Sequence, residues 1–243
     1  MDALEQIKNE ITSLYNDFYE KNEIDPKEGI WHNAPEGKKL RFATMPHIGE
    51  HYAEADKKIL FVGLDIGMEE EKYIIPLKYR RDCFVHKITN CPNAHVSGMM
   101  ITALFLQREK YTELWNEVLE NRNLQNRAIV NKMRDSFPSY ILDNVAQTNF
   151  YKFVTVGRTY RTGASDRQFF SNEQEKIEEL FLKEVEILNP DIIWFQGKEF
   201  EGYSVYRELK KTSKKVIVSY HPSYIRACTP NYIIELTKDL EKQ

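Results

Sequence analysis

The chain has 243 residues, 42% of them hydrophobic and 29% charged, and carries a formal net charge of −3. That length suits one large α/β domain or two small ones, with a core that needs no staples. The bulk charge points to no nucleic-acid partner, so any such contact needs a local basic patch. Three cysteines, Cys83, Cys91 and Cys228, are too few and scattered for a disulfide framework or a four-thiolate metal site. Each reads most simply as a small buried apolar residue. A reducing, cytoplasmic setting is expected. Met1-Asp2-Ala3-Leu4-Glu5 lacks the basic-then-apolar pattern of a signal peptide, and no apolar run reaches membrane-spanning length.

Leu4, Ile7, Ile11, Leu14, Tyr15 and Phe18 recur three and four apart, which predicts an amphipathic helix over 2–20. Pro26, Gly29, Pro35 and Gly37 punctuate a loop holding Trp31 and His32. Ile59-Leu60-Phe61-Val62 then forms a continuous apolar run bounded by Gly63-Leu64-Asp65-Ile66-Gly67. Such a run reads as a strand buried on both faces, with a carboxylate placed at its C-terminal end. Asp65 taken alone reads more simply as a turn former or helix cap. Lys78-Tyr79-Arg80-Arg81 is a basic cluster near Cys83 and His86 that fits a solvated loop or a phosphate contact. Ser97 is expected to cap a helix from Gly98, followed by helices over 111–119 and 124–135.

Asn144 to Phe153 reads as a second strand. Arg158, Tyr160, Arg161, Gly163 and Arg167 follow in a loop that fits either a phosphate backbone or plain solvent. Ser171-Asn172-Glu173-Gln174 has the form of a capping box. The helix behind it carries Ile177, Leu180, Phe181, Val185 and Leu188 on one face and stops at Asn189-Pro190. Asp191-Ile192-Ile193-Trp194-Phe195 is a third strand, ending in Gln196-Gly197-Lys198, and a helix is expected over 198–210. Lys215 to Tyr220 is the fourth strand, closing on His221-Pro222-Ser223-Tyr224, and a last helix spans 231–240. Trp115 and Trp194 read as core. Strands alternating with helices predict an α/β fold, and no repeat or linker breaks the chain, so one domain is expected.

In a parallel sheet the four strand ends converge: Asp65, Asn149, Gln196-Gly197-Lys198 and His221-Pro222-Ser223. A carboxylate, an amide and an imidazole in one cleft suit hydrolysis of a bond to a nitrogen leaving group. The carboxylate orients water and stabilises a cationic sugar, the amide reads a base edge, and the imidazole holds a developing anion.

These residues, from about 57 to 226 in order and spacing, resemble the uracil-DNA glycosylase superfamily, with extra helical length over about 99–140. The resemblance implies a three-layer α/β/α sandwich around a four-stranded parallel sheet, acting on a base flipped out of DNA. It implies that Asp65 activates water, that His221 bonds the leaving base's O2, and that Asn149 reads the pyrimidine edge. Gly63, Leu64, Ile66 and Gly67 would line the base pocket, with Phe84 or His95 as the aromatic stacked on the base. Ser223 and Tyr224 through Arg226 match the loop that presses on the minor groove and phosphates, and Gly197 and Lys198 fall at a phosphate-contacting turn. Arg158 and Arg161 are expected to join them on DNA.

Two departures shape the expectation. The uracil-specific branch continues its first motif with Pro and Tyr, the tyrosine walling off C5; Ile66 and Gly67 stand here instead. An open C5 edge would admit thymine or a larger 5-substituted pyrimidine, while other branches that carry glycine there include uracil-selective ones. The iron–sulfur branches need four cysteines, and Lys152-Phe153 occupies a usual cysteine region, so no cofactor is expected. No lysine in the motifs serves as an imine-forming nucleophile, which favours a monofunctional enzyme; a monomer is expected. The alternatives are a glycosylase for bulky 5-modified pyrimidines in foreign DNA, a non-catalytic DNA or nucleotide binder, and a small-molecule hydrolase on a similar sheet.

Overall fold

The computed structural model describes residues 2–25, 40–42, 45–64, 93–155 and 174–238. Among these residues are strands β1 (Leu40–Phe42), β2 (His47–Ile48), β3 (Ile59–Gly63), β4 (Val145–Asn149), β5 (Phe153–Thr155), β6 (Ile192–Gln196) and β7 (Lys215–Ser219). The helices are α1 (Ala3–Lys21), α2 (Ala94–Leu106), α3 (Thr112–Glu120), α4 (Asn126–Lys132), α5 (Gln174–Leu188), α6 (Ser204–Leu209) and α7 (Pro230–Thr237). The protein is α/β.

All four expected strands are present, in the spatial order β4-β3-β6-β7. The expectation of a four-stranded, wholly parallel sheet needs correcting at the edge. There β2 adds a fifth strand beside β4. Just past β2, the Gly49 N–H bonds Val145 C=O and the His51 N–H bonds Asp143 C=O, so the two segments run in opposite directions and the sheet is mixed. A separate two-stranded antiparallel ribbon pairs β1 with β5, Leu40 opposite Thr155 and Phe42 opposite Phe153. Strands of two or three residues carry no readable period, which is why β1 and β2 were not anticipated.

The chain divides into two compact units. The first comprises Met1–Ile48, Val62–Arg81 and Gln147–Asn189; the second comprises Gly49–Phe61, Asp82–Ala146 and Pro190–Gln243. In the first, Asp2 caps α1 by accepting the Leu4 N–H at 3.2 Å. The expected stripe then buries Leu4, Ile11 and Tyr15, and α1 packs along α5. Ile177, Leu180, Phe181, Val185 and Leu188 are buried as their spacing requires. Asn189 follows at φ 42°, the left-handed geometry that commonly ends a helix, and Pro190 prevents continuation. The expected capping box at 171–174 falls largely outside the described residues.

The strand expected over 144–153 is interrupted. β4 stops at Asn149, the N–H groups of Phe150 and Tyr151 still reach Gly63 and Leu64 C=O at 2.8 Å, and β5 starts at Phe153. Between them Lys152 turns inward, fully buried. Its ammonium lies 2.9 Å from Glu184 Oε2 and 3.3 Å from Oε1, and it also donates to Thr148 Oγ1. Tyr15 O–H donates to the same Glu184 carboxylate. A buried charge pair persists only when hydrogen bonds satisfy its remaining atoms, and this one joins α1, the β4 end and α5 on those terms.

In the second unit α2 is the central element. Every residue from Val96 to Leu106 is buried, so its surface is apolar all round, as expected of a helix enclosed by neighbours. It packs on α4, on the 3₁₀ turn Ser139–Leu142 and on α7. Ile59, Phe61, Trp115, Ile129, Trp194, Ile217 and Ile233 complete this core. Each such side chain contributes about 1.5–3 kcal/mol by leaving water. Ser97 is not the cap of α2. Asn93 is, accepting the Val96 N–H at 2.9 Å, and Ser97 lies buried within the helix. Both are cap-forming residue types, and the helix starts at the earlier one because Ala94, His95 and Val96 all accept helical geometry. The helix expected over 198–210 is likewise two pieces, a 3₁₀ turn (Lys198–Gly202) and α6, divided where Gly202 weakens the helix.

Candidate active site

Strands β6 and β7 are parallel, with Gln196 opposite Ser219 at their carboxyl ends. Their ends are tied together: Trp194 Nε1–H donates to Ser219 Oγ at 2.9 Å, and Ser219 O–H donates to Phe195 C=O at 3.2 Å. Open α/β sheets bind ligands just beyond such ends. The chain leaves β7 through Tyr220, whose N–H bonds the Tyr232 hydroxyl at 2.8 Å. It then makes two successive turns, Tyr224 N–H to His221 C=O and Ala227 N–H to Tyr224 C=O, both at 2.8 Å. Pro222 occupies the second position of the first turn, where its fixed φ is favourable. Gly98 of α2 lies directly against it: a Cβ there would sit 2.6 Å from Pro222 Cβ. Only glycine lets the helix approach the turn this closely.

The turn commits one nitrogen of His221. Nδ1 accepts the Ser223 N–H at 3.2 Å and lies 2.6 Å from Ser223 Oγ. A backbone N–H can only donate, so Nδ1 is unprotonated and the neutral ring carries its proton on Nε2. Among the described residues no group pairs with that Nε2. Partial burial of the ring lowers the His221 pKa from its ordinary value, and the Glu199 carboxylate opposes this more weakly. At neutral pH the ring is therefore an uncharged N–H donor.

His95, from the first turn of α2, stacks on His221 with ring centroids 5.2 Å apart and planes 9° apart. Its Nε2 lies 2.8 Å from Gln196 Oε1, and Gln196 is only 2% exposed. An amide oxygen accepts, so His95 Nε2–H is the donor. The structure thus brings His95, His221 and Ser223 together.

The surface around the turn carries aromatic and apolar side chains. Tyr224 is 43% exposed and Ile225 75%. Tyr220 lies 5.1 Å from Tyr224 and 6.1 Å from Tyr232, ring to ring. Lys198 stands 5.8 Å over the Tyr220 ring and 2.9 Å from Glu201 Oε1. The Glu201 hydrogen bond raises its pKa, so it stays charged, but its charge is partly spent on that partner. Arg226 is exposed and makes no hydrogen bond or ion pair with the described residues.

In the other unit, Asn149 is buried at the end of β4. A side chain at Gly63 would collide with Asn149 Oδ1, so the glycine makes room for that amide. Leu64 follows, its C=O bonded to Tyr151 N–H. Asp65, Ile66, Gly67, Phe84, Arg158 and Arg161 lie outside the described residues, as do Cys83, Cys91 and the basic cluster at 78–81. Cys228 is a buried free thiol, as read from sequence. Among the described residues no group of three or more His, Cys, Asp or Glu could hold a metal ion, and no helix is long and apolar enough to cross a membrane.

No protein-family model and no curated protein matches the chain. The reading of this site therefore rests on its own geometry. Sequence reasoning gave Gln196 no role of its own and took Ile225 only as part of the 224–226 loop, without singling it out. A polar residue closing an apolar strand was the available signal for the first. For the second, a bulky aliphatic residue two positions beyond a strand-end His-Pro-Ser was the clue.

Proposed function

We propose that the protein is a monofunctional DNA glycosylase that hydrolyses the N-glycosidic bond of a flipped-out uracil or other modified pyrimidine. The observation that carries this reading is the neutral His221, with Nδ1 committed to Ser223 and an Nε2–H left to donate. When the C1′–N1 bond breaks, its electron pair leaves with the base and the charge spreads to O2. A preorganised neutral donor beside O2 stabilises that charge without the cost of reorganisation. The resemblance gives Asp65 the role of taking a proton from water as the oxygen attacks C1′, and of stabilising the cationic sugar before that. The products are an abasic sugar and the free base, which regains its proton from solvent. Asn149, with Gly63 cleared beside it, would read the base edge.

A DNA partner is supported by the surface of the turn. Tyr224 offers a ring on which a base can stack, Ile225 an apolar wedge of the kind inserted between base steps, and Arg226 an exposed guanidinium for phosphate. The α/β fold, with β4-β3-β6-β7 adjacent, is compatible with the α/β/α sandwich that the resemblance implies.

The test is a panel of oligonucleotides carrying uracil, a thymine mismatch or a 5-substituted pyrimidine, incubated with the protein and cleaved by alkali at abasic sites. Excision of at least one base is expected, and the panel identifies which. Binding to all of them without excision would replace the enzyme with a non-catalytic binder. Loss of binding even at low salt would remove DNA as the partner.

A further inference from the structure

His95 does more around His221 than fill space. It is half-exposed, in the first turn of α2. Its ring is stacked on His221 and anchored at 2.8 Å to Gln196, a buried amide at the end of β6. Gly98, one turn along, brings α2 against Pro222. Two elements therefore hold the His95 plane, and that plane faces His221.

We propose that His95, anchored through Gln196, is the positioning residue of this site: it fixes the plane of the His221 ring and keeps that ring as the neutral Nε2–H tautomer. The inference rests on the glycosylase reading for its effect on rate, but its effect on the His221 ring does not. Stacking restricts rotation of His221 to its own plane, and the Ser223 bonds then fix rotation within that plane. A proton arriving at Nδ1 would abolish the bond from Ser223 N–H. The stacked His95 ring also keeps water from one face of His221, and that loss of solvation disfavours the charged form. Among the described residues, the other ionisable groups around the turn are Glu199, which favours the charged ring, the mutually paired Lys198 and Glu201, Tyr220, Tyr224 and the exposed Arg226 on the turn itself, and Tyr232 of α7. Glu199 alone would make His221 easier to protonate. His95 works in the opposite direction.

The experiment is a pH titration of the histidine ring protons by NMR in the wild type, His95→Ala, His95→Phe and Gln196→Leu, paired with single-turnover excision across pH. In His95→Ala the His221 midpoint should move up toward the ordinary histidine value. The acid limb of excision should move with it, and the plateau rate should fall by up to about 10²-fold at unchanged DNA affinity, the scale of a misplaced reacting group. His95→Phe keeps a ring of similar volume and should recover part of the rate; Gln196→Leu keeps His95 but frees it and should lose part. An identical His221 titration in all four proteins would overturn the inference. If the midpoint moves but no protein excises any base, the positioning role stands and the glycosylase reading falls.

Discussion

The Lys152–Glu184 cluster and the His95–His221 cluster both gather ionisable side chains just past a strand end, yet their polar atoms are left with different work. Lys152 and Glu184 are fully buried, and the ammonium and carboxylate bond each other, Thr148 and Tyr15. His221 commits Nδ1 to Ser223 and keeps Nε2–H uncommitted at an exposed turn. The first cluster is closed, so its worth lies in holding α1, β4 and α5 together. The second leaves a donor open, at a place where a ligand can arrive. The more perturbing interior charge is thus the less available one for chemistry.

That contrast can be broken from either side. The largest effect is expected from Glu184→Ala, which strands a buried ammonium and should cost about 3–5 kcal/mol in denaturant-unfolding experiments. Excision per folded molecule should stay at the wild-type level. Next comes His221→Ala, expected to slow excision on the order of 10²–10³-fold in single-turnover assays while leaving the unfolding midpoint near wild type. Smaller again, Tyr224→Ala should weaken oligonucleotide binding by about 1–3 kcal/mol through a lost base stack. Arg226→Ala should lower the salt slope of binding by about 1 in titrations at several ionic strengths.

The smallest effect is on stability against pH. The folded-state pKa of His221 is lowered, so the unfolded chain takes up a proton first as pH falls through the ordinary histidine value of about 6.5. Its contribution is intact above that value and lost progressively on the acid side. His221→Ala should flatten this part of the profile, measured as the unfolding midpoint between about pH 7.5 and about pH 5.5.

Much of this arrangement was legible in the residues themselves. The α1 and α5 stripes and the β3, β6 and β7 runs declared themselves because one face or both faces of each element are buried, and burial writes a period or an apolar run. β1 and β2 are too short to write either. Asn93 and Ser97 are both plausible caps by type, and only the fold shows which begins α2. His221 and Ser223 stood out because their spacing in a turn is local. The His95–Gln196 bond joins residues 101 positions apart, and no local pattern marks such a pair. Ile225 reads as an ordinary apolar residue until its exposure is known. Local chemistry was readable, and chemistry assembled by the fold was not.

The central claim is that His221 Nε2–H stabilises the charge of a departing pyrimidine. It is tested most directly by comparing single-turnover excision of uracil and 5-fluorouracil by wild type and His221→Ala. Fluorine makes the leaving base more acidic, so it departs with less need of a donor. The account predicts that His221→Ala loses much more rate on uracil than on 5-fluorouracil. An equal loss on both bases, or none on either, would contradict it.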